Sequence, residues 1–176
     1  MSGELTIMDG GMGGELIRRG WPSGGLWSAK ALLEKPEVVR AVHEDYINAG
    51  AQVIITNSYS TVPSYLAKEN MESRYVELTS IAARLAREVA DAAAADVKVA
   101  GCVPPLSESY RPDLVPADDQ ARPIYAEIVK ALSTDVDLYV CETMSSVREA
   151  VNAASSVRLT DPDKPLWVAL TLADQP

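Results

Sequence analysis

A parallel α/β fold is expected for this chain of 176 residues, on three grounds. Short apolar, β-branched runs alternate with longer stretches of helical period. The runs are apolar on both faces, as strands covered by helices are. No Gly/Ser linker, low-complexity tract or sequence repeat divides them, so residues 1–176 read as one domain around one core. Five runs qualify as strands: residues 5–8, 52–56, 97–103, 138–141 and 166–172.

The first strand runs into Asp9-Gly10-Gly11, a turn. A helix then starts at Pro36, where a missing N–H costs nothing. It carries Val38, Val39, Val42, Tyr46 and Ile47 at helical spacing and closes at Gly50. After the second strand a helix over 72–95 places Tyr75, Leu78, Ile81, Ala82 and Leu85 on one face. The third strand leads into 104–119, whose four prolines and length mark a functional rim segment rather than a passive connector. A helix over 118–132 contains Pro123, which predicts a late start or a kink. The last helix begins near Ser145, whose hydroxyl is expected to cap Val147 or Arg148, and the fifth strand follows it.

Composition narrows the function. A balance of 47% hydrophobic and 23% charged residues describes a folded chain. Sixteen Lys and Arg against 25 Asp and Glu give a net charge of -9, which repels phosphate backbones and anionic lipid. Neither nucleic acid nor a membrane is an expected partner. Two cysteines cannot build a disulfide scaffold, and no basic, apolar leader opens the sequence, so a cytoplasmic setting is expected.

In parallel α/β architectures ligands gather at the carboxyl ends of the strands. Here those ends carry Asp9-Gly10-Gly11, Asn57-Ser58-Tyr59, Gly101-Cys102 and Glu142-Thr143. Asp9 can hold an ammonium group or orient a proton, or it can stiffen a turn. The glycine run Gly10, Gly11, Gly13 and Gly14 lets the backbone turn sharply, and Gly10 and Gly11 let it approach a ligand. Glu142 directly follows an apolar run, so its carboxylate needs a ligand cation or an ion pair, for which Arg148 is the nearest candidate. Asn57 either contacts a ligand or closes an Asx turn. Asp9, Gly10, Gly11, Asn57 and Glu142 are therefore the candidate substrate-binding residues. Cys102 and Cys141 read as small buried hydrophobes, and His43, the sole histidine, as a packing or surface residue of a helix. A histidine-based triad is not expected.

Met8-Asp9-Gly10-Gly11-Met12-Gly13-Gly14-Glu15-Leu16 resembles the opening motif of the homocysteine S-methyltransferase family, Asp-Gly-Gly-hydrophobic-Gly-Thr-Glu-Leu, with Gly14 where Thr is usual. The likeness continues through Trp27-Ser28-Ala29, Pro36-Glu37-Val38-Val39, His43 to Ala51, and Ile54-Ile55-Thr56-Asn57-Ser58-Tyr59. Further on, Gly101-Cys102-Val103-Pro104-Pro105-Leu106, Ser109-Tyr110-Arg111-Pro112-Asp113 and Glu142-Thr143-Met144 look like its later strand-end motifs. The resemblance implies a TIM-type (β/α)₈ barrel, of which about five strands are present here as an N-terminal portion. It also implies transfer of a methyl group from a sulfonium or similar donor to the thiol of homocysteine, or to a related thiol or selenol. Asp9 and Glu142 would then bind the amino acid part, with Glu142 facing its ammonium group. The family's zinc is held by three cysteines from later strands, so metal ligands are expected downstream of Pro176 and none among these residues. On that basis the 176-residue chain alone is expected to be inactive, and a completing segment or a second copy is expected at its open edges. Two alternatives stay open: a non-catalytic half-barrel module that keeps an amino acid pocket, and a zinc-free enzyme using Asp9 and Glu142 as acid and base.

Overall fold

In the computed structural model, residues 5–22, 26 and 28–172 are described. Four parallel strands, β1 (Val53–Ile55), β2 (Lys98–Val103), β3 (Leu138–Met144) and β4 (Leu166–Leu170), lie side by side in chain order as an open sheet. The helices are α1 (Met12–Arg18), α2 (Ala31–Glu34), α3 (Pro36–Asn48), α4 (Pro63–Leu66), α5 (Tyr75–Ala92), α6 (Asp118–Leu132) and α7 (Val147–Thr160). Strand alternation divides the core in two. Ile54, Val99, Val103, Tyr139, Cys141 and Met144 pack against α5, α6 and α7. On the other face Val53, Ala100, Leu138 and Val140 form a small cluster with Met8 and Ile55. A third cluster, including Leu16, Val39, Val42, Leu78 and Leu85, joins α1, α2, α3 and α5.

Three expectations hold, those for α3, for the two cysteines and for His43. Pro36 opens α3, and Gly50, at φ 103°, follows its end in the left-handed conformation that stops a helix. Both cysteines are buried free thiols, and His43 is fully buried in α3. No helix among the described residues is long and apolar enough to cross a membrane.

Others are corrected. Residues 5–8 do not form a strand: they make a single bridge, Met8 to Val53, supported by the Asp9 N–H donating to Val53 O and the Gln52 N–H to Ile7 O. Among the described residues this segment is hydrogen-bonded on one side only, and Leu5 and Ile7 are 87% and 58% exposed. The fifth predicted strand ends at Leu170, and the helix expected from 72 begins at Tyr75, after a 3₁₀ turn over Glu72–Arg74. α6 runs unbroken through Pro123. Gly13 and Gly14 lie inside α1 rather than in a turn, because burial of Leu16 outweighs the low helix propensity of glycine. The cap of α7 is Ser146, not Ser145: Ser146 has the extended backbone of a cap, and its Oγ accepts the Glu149 N–H. Ser145 instead donates both its N–H and its hydroxyl to the buried Glu149 carboxylate, at 2.8 Å each.

Candidate functional site

A cleft of about 560 Å³ opens at the carboxyl ends of β1, β2 and β3. Asp9 and Glu142 both line it. Asp9 is placed by its neighbours on β1: its N–H donates to Val53 O, and its Oδ2 accepts the Ile55 N–H at 2.9 Å. Its Oδ1 is buried and has no hydrogen-bond partner. Burial, reinforced by the negative charge of Glu142, pushes the Asp9 carboxyl from 3.8 up to about 7, against the opposing effect of the Ile55 N–H. Burial also raises Glu142, whose position beside the Cys102 thiol partly offsets the effect.

No salt bridge among the described residues involves either carboxylate. Arg148 is not the partner of Glu142; its guanidinium donates to Val115 O and so ties α7 to the rim segment. Two carboxylates therefore face one cleft, and no Lys, Arg or His is among the described residues that line it. Such an arrangement holds a proton on Asp9 or takes up a cation in its place.

Gly10 and Gly11 also line the cleft. Gly10 has a steric reason to be glycine, since a Cβ there would stand 2.9 Å from the Tyr46 hydroxyl oxygen, which donates to Gly11 O. At Gly11 a Cβ would meet nothing within 4 Å. Asn57 lies in the wall, buried, and its Nδ2 donates to Ser28 O at 3.1 Å. Its amide thus clamps the Ser28 segment rather than closing an Asx turn. Below it Thr56, Ser58 and Cys102 form a buried polar belt: the Cys102 N–H donates to Thr56 Oγ1, and Ser58 Oγ to Cys102 O. Trp27 lies outside the described residues.

Tyr59, Ser109, Tyr110 and Thr143 complete the mouth and were not singled out from the sequence. The available signal was position: Tyr59 lies two residues beyond Asn57 and Thr143 one beyond Glu142, whereas Ser109 and Tyr110 belong to the proline-rich rim segment 104–119.

Fold and cleft define a parallel α/β protein with an acidic ligand cleft at the carboxyl ends of its strands. The chain belongs to the homocysteine S-methyltransferase family, whose pattern matches residues 6–176. Homocysteine S-methyltransferase of Escherichia coli is 33% identical over 97% of this chain and 60% of its own length. S-methylmethionine–homocysteine S-methyltransferase BHMT2 of Pongo abelii is 31% identical over 99% of this chain and 45% of its own. The crystal structure of the homocysteine methyltransferase MmuM from Escherichia coli in its metallated form superposes with a TM-score of 0.86 at 32% identity, covering 98% of this chain and 65% of that one. The chain thus spans less than two thirds of the length of these relatives.

The described residues do not fit a zinc ion. No three His, Cys, Asp or Glu side chains among them converge as a metal site. Burial holds both thiols protonated, Cys141 pushed up to about 12 and Cys102 raised well above the ordinary thiol value.

Proposed function

We propose that this chain is the amino-acid-binding portion of a homocysteine S-methyltransferase. In this reading the cleft takes L-homocysteine, Glu142 and Asp9 face its ammonium group, and Gly10, Gly11 and Asn57 shape the wall against its backbone atoms. The observation that carries it is the pair of carboxylates sharing one cleft, with no ion-pair partner and no lining cation among the described residues. At neutral pH Asp9 stands near its midpoint, so an entering ammonium group draws it to the ionised form and releases a proton.

Methyl transfer then forms a bond from the homocysteine sulfur, as thiolate, to the methyl carbon of a donor. The bond from that carbon to the donor's onium atom breaks, and the thiol proton goes to solvent. The residues described here bind and orient the amino acid; thiolate stabilisation by zinc belongs to a part of the enzyme they do not form. The open sheet extends, in the same reading, into a TIM-type barrel whose further strands pair with β4 and with the 5–8 segment. A cytoplasmic setting and inactivity of the 176-residue chain by itself go with it.

Isothermal titration with L-homocysteine tests the reading. Binding is expected in the wild-type chain, and Glu142→Gln weakens it about tenfold to a hundredfold, the range for a charge-assisted hydrogen bond. Absence of binding, or equal affinity of Glu142→Gln, overturns it. A second reading, a non-catalytic module that pairs through its bare β4 edge, is favoured by the exposure of that strand. It requires homocysteine binding by a stable dimer.

A further inference from the structure

The end of β3 departs from regular strand geometry at the point where it delivers Glu142. Cys141 pairs with Val168 and Met144 with Leu170, so Glu142 and Thr143 together stand opposite the single residue Ala169. This is a β-bulge, and Thr143 within it adopts φ 60°. A β-branched residue is strained in the left-handed region. In a regular strand neighbouring side chains point to opposite faces; here Glu142 and Thr143 both line the cleft.

A second strained residue stands across the mouth. Tyr110, on the proline-rich segment after β2, has φ 61° and also lines the cleft. The two strained turns meet at one group. The Tyr59 hydroxyl lies 2.6 Å from Ser109 Oγ, the residue before Tyr110, and it also interacts with the side chain of Thr143. Tyr59 itself rises from the strand end after β1 and is half-buried. One phenol therefore joins the segments that follow β1, β2 and β3.

We infer that Tyr59 is a positioning residue, whose hydroxyl holds the Ser109–Tyr110 turn against the Glu142–Thr143 bulge and so fixes the Glu142 carboxylate in the cleft. The strain at Thr143 and Tyr110 persists because the hydroxyl links over-determine both turns. Without them the bulge relaxes toward regular pairing and Glu142 leaves its place beside Asp9. The role of Glu142 toward an amino acid ligand rests on the proposed function; the tie itself does not.

Tyr59→Phe removes only the hydroxyl, and Thr143→Ser keeps a hydroxyl at the bulge as the conservative control. Three readouts apply to the full chain. Backbone hydrogen exchange over 104–119 rises several-fold in Tyr59→Phe and stays at the wild-type level in Thr143→Ser. The Asp9 carboxyl, followed by ¹³C NMR, titrates lower in Tyr59→Phe than in wild type, because the Glu142 charge has moved away. L-homocysteine affinity falls about tenfold in Tyr59→Phe, with the thermal midpoint nearly unchanged since the ring still packs. Exchange and Asp9 titration both equal to wild type in Tyr59→Phe overturn the inference, as does a loosened segment with Asp9 unmoved. Should wild type fail to bind homocysteine, the proposed function fails alone, and the two ligand-free readouts still decide the tie.

Discussion

β2 and β4 are written in the same apolar vocabulary, yet they sit in different surroundings. In β2 only Lys98 is exposed and the next five residues are buried between the helices and the small cluster on the opposite face. In β4 Trp167, Val168 and Leu170 remain 40%, 47% and 51% exposed, and on the neighbouring α7 Val147, Val151 and Leu159 are exposed as well. An apolar strand sequence thus encodes a demand for cover on both faces, whereas the cover itself comes from elements elsewhere in sequence. One side of the molecule is a finished α/β layer that holds the cleft; the other is an apolar surface of the kind that seeks a partner.

Truncating one side chain in each half separates them most strongly. Leu132 is fully buried, and its Cδ1 lies in the layer where a Cβ on Gly101 would stand 3.2 Å away. Leu132→Ala is expected to cost about 2–5 kcal/mol through the cavity it leaves. Val168→Ala in β4 is expected to cost at most about 0.5 kcal/mol. Urea unfolding of both variants gives the contrast, and comparable losses would show β4 covered in solution.

Acid and base probe the finished half from two sides, since Asp9 and His43 both belong to it. The His43 ring is fully buried with neither nitrogen hydrogen-bonded, and burial lowers it from 6.5 to about 4. Its folded pKa lies below the unfolded one, so the neutral ring contributes stability that is complete above pH 6.5 and lost as pH falls through 4. The total is on the order of 3 kcal/mol. His43→Leu is expected to flatten that slope in urea titrations between pH 4 and 6.5. Asp9 has the opposite sign. Its pKa is raised from 3.8 to about 7, so its contribution is present at low pH and is lost as pH rises through 7. Asp9→Asn keeps an acceptor for the Ile55 N–H and removes the charge; at pH 8 it is expected to stabilise the fold by roughly 2–3 kcal/mol, less than the full shift because the group is partly solvated. A destabilised Asp9→Asn at pH 8 would mean that the carboxylate has a partner in solution.

What could be read from sequence follows the same division. The covered strands β1, β2 and β3 and helix α3 were legible because hydrophobic period and the Pro36–Gly50 punctuation act locally. The 5–8 segment was not, since four apolar-rich residues look like a strand whether or not a second neighbour exists to pair with them. Asp9 and Glu142 were legible as carboxylates placed directly after apolar runs, and their convergence followed from the parallel topology. The Tyr59–Ser109–Thr143 contacts were hidden, because a bulge and two left-handed residues leave no mark in composition or spacing. Glycine at 13 and 14 misled for the converse reason: it permits a turn without requiring one.

The smallest change in stability is expected where a charge is placed on the bare strand. Val168 faces outward from β4 at 47% exposure, so Val168→Lys buries nothing and shifts the unfolding free energy by no more than about 0.5 kcal/mol. Its effect falls on association, because a lysine on an open edge opposes strand-to-strand pairing between copies. Sedimentation of the wild-type chain at rising concentration is expected to show self-association, and Val168→Lys to reduce it while leaving homocysteine affinity unchanged, since β4 contributes no residue to the cleft lining. A monomeric wild type would place the partner of this surface in another polypeptide segment. Unchanged association of the lysine variant would move the contact to the exposed valines and leucine of α7, where Val151→Lys is the corresponding probe.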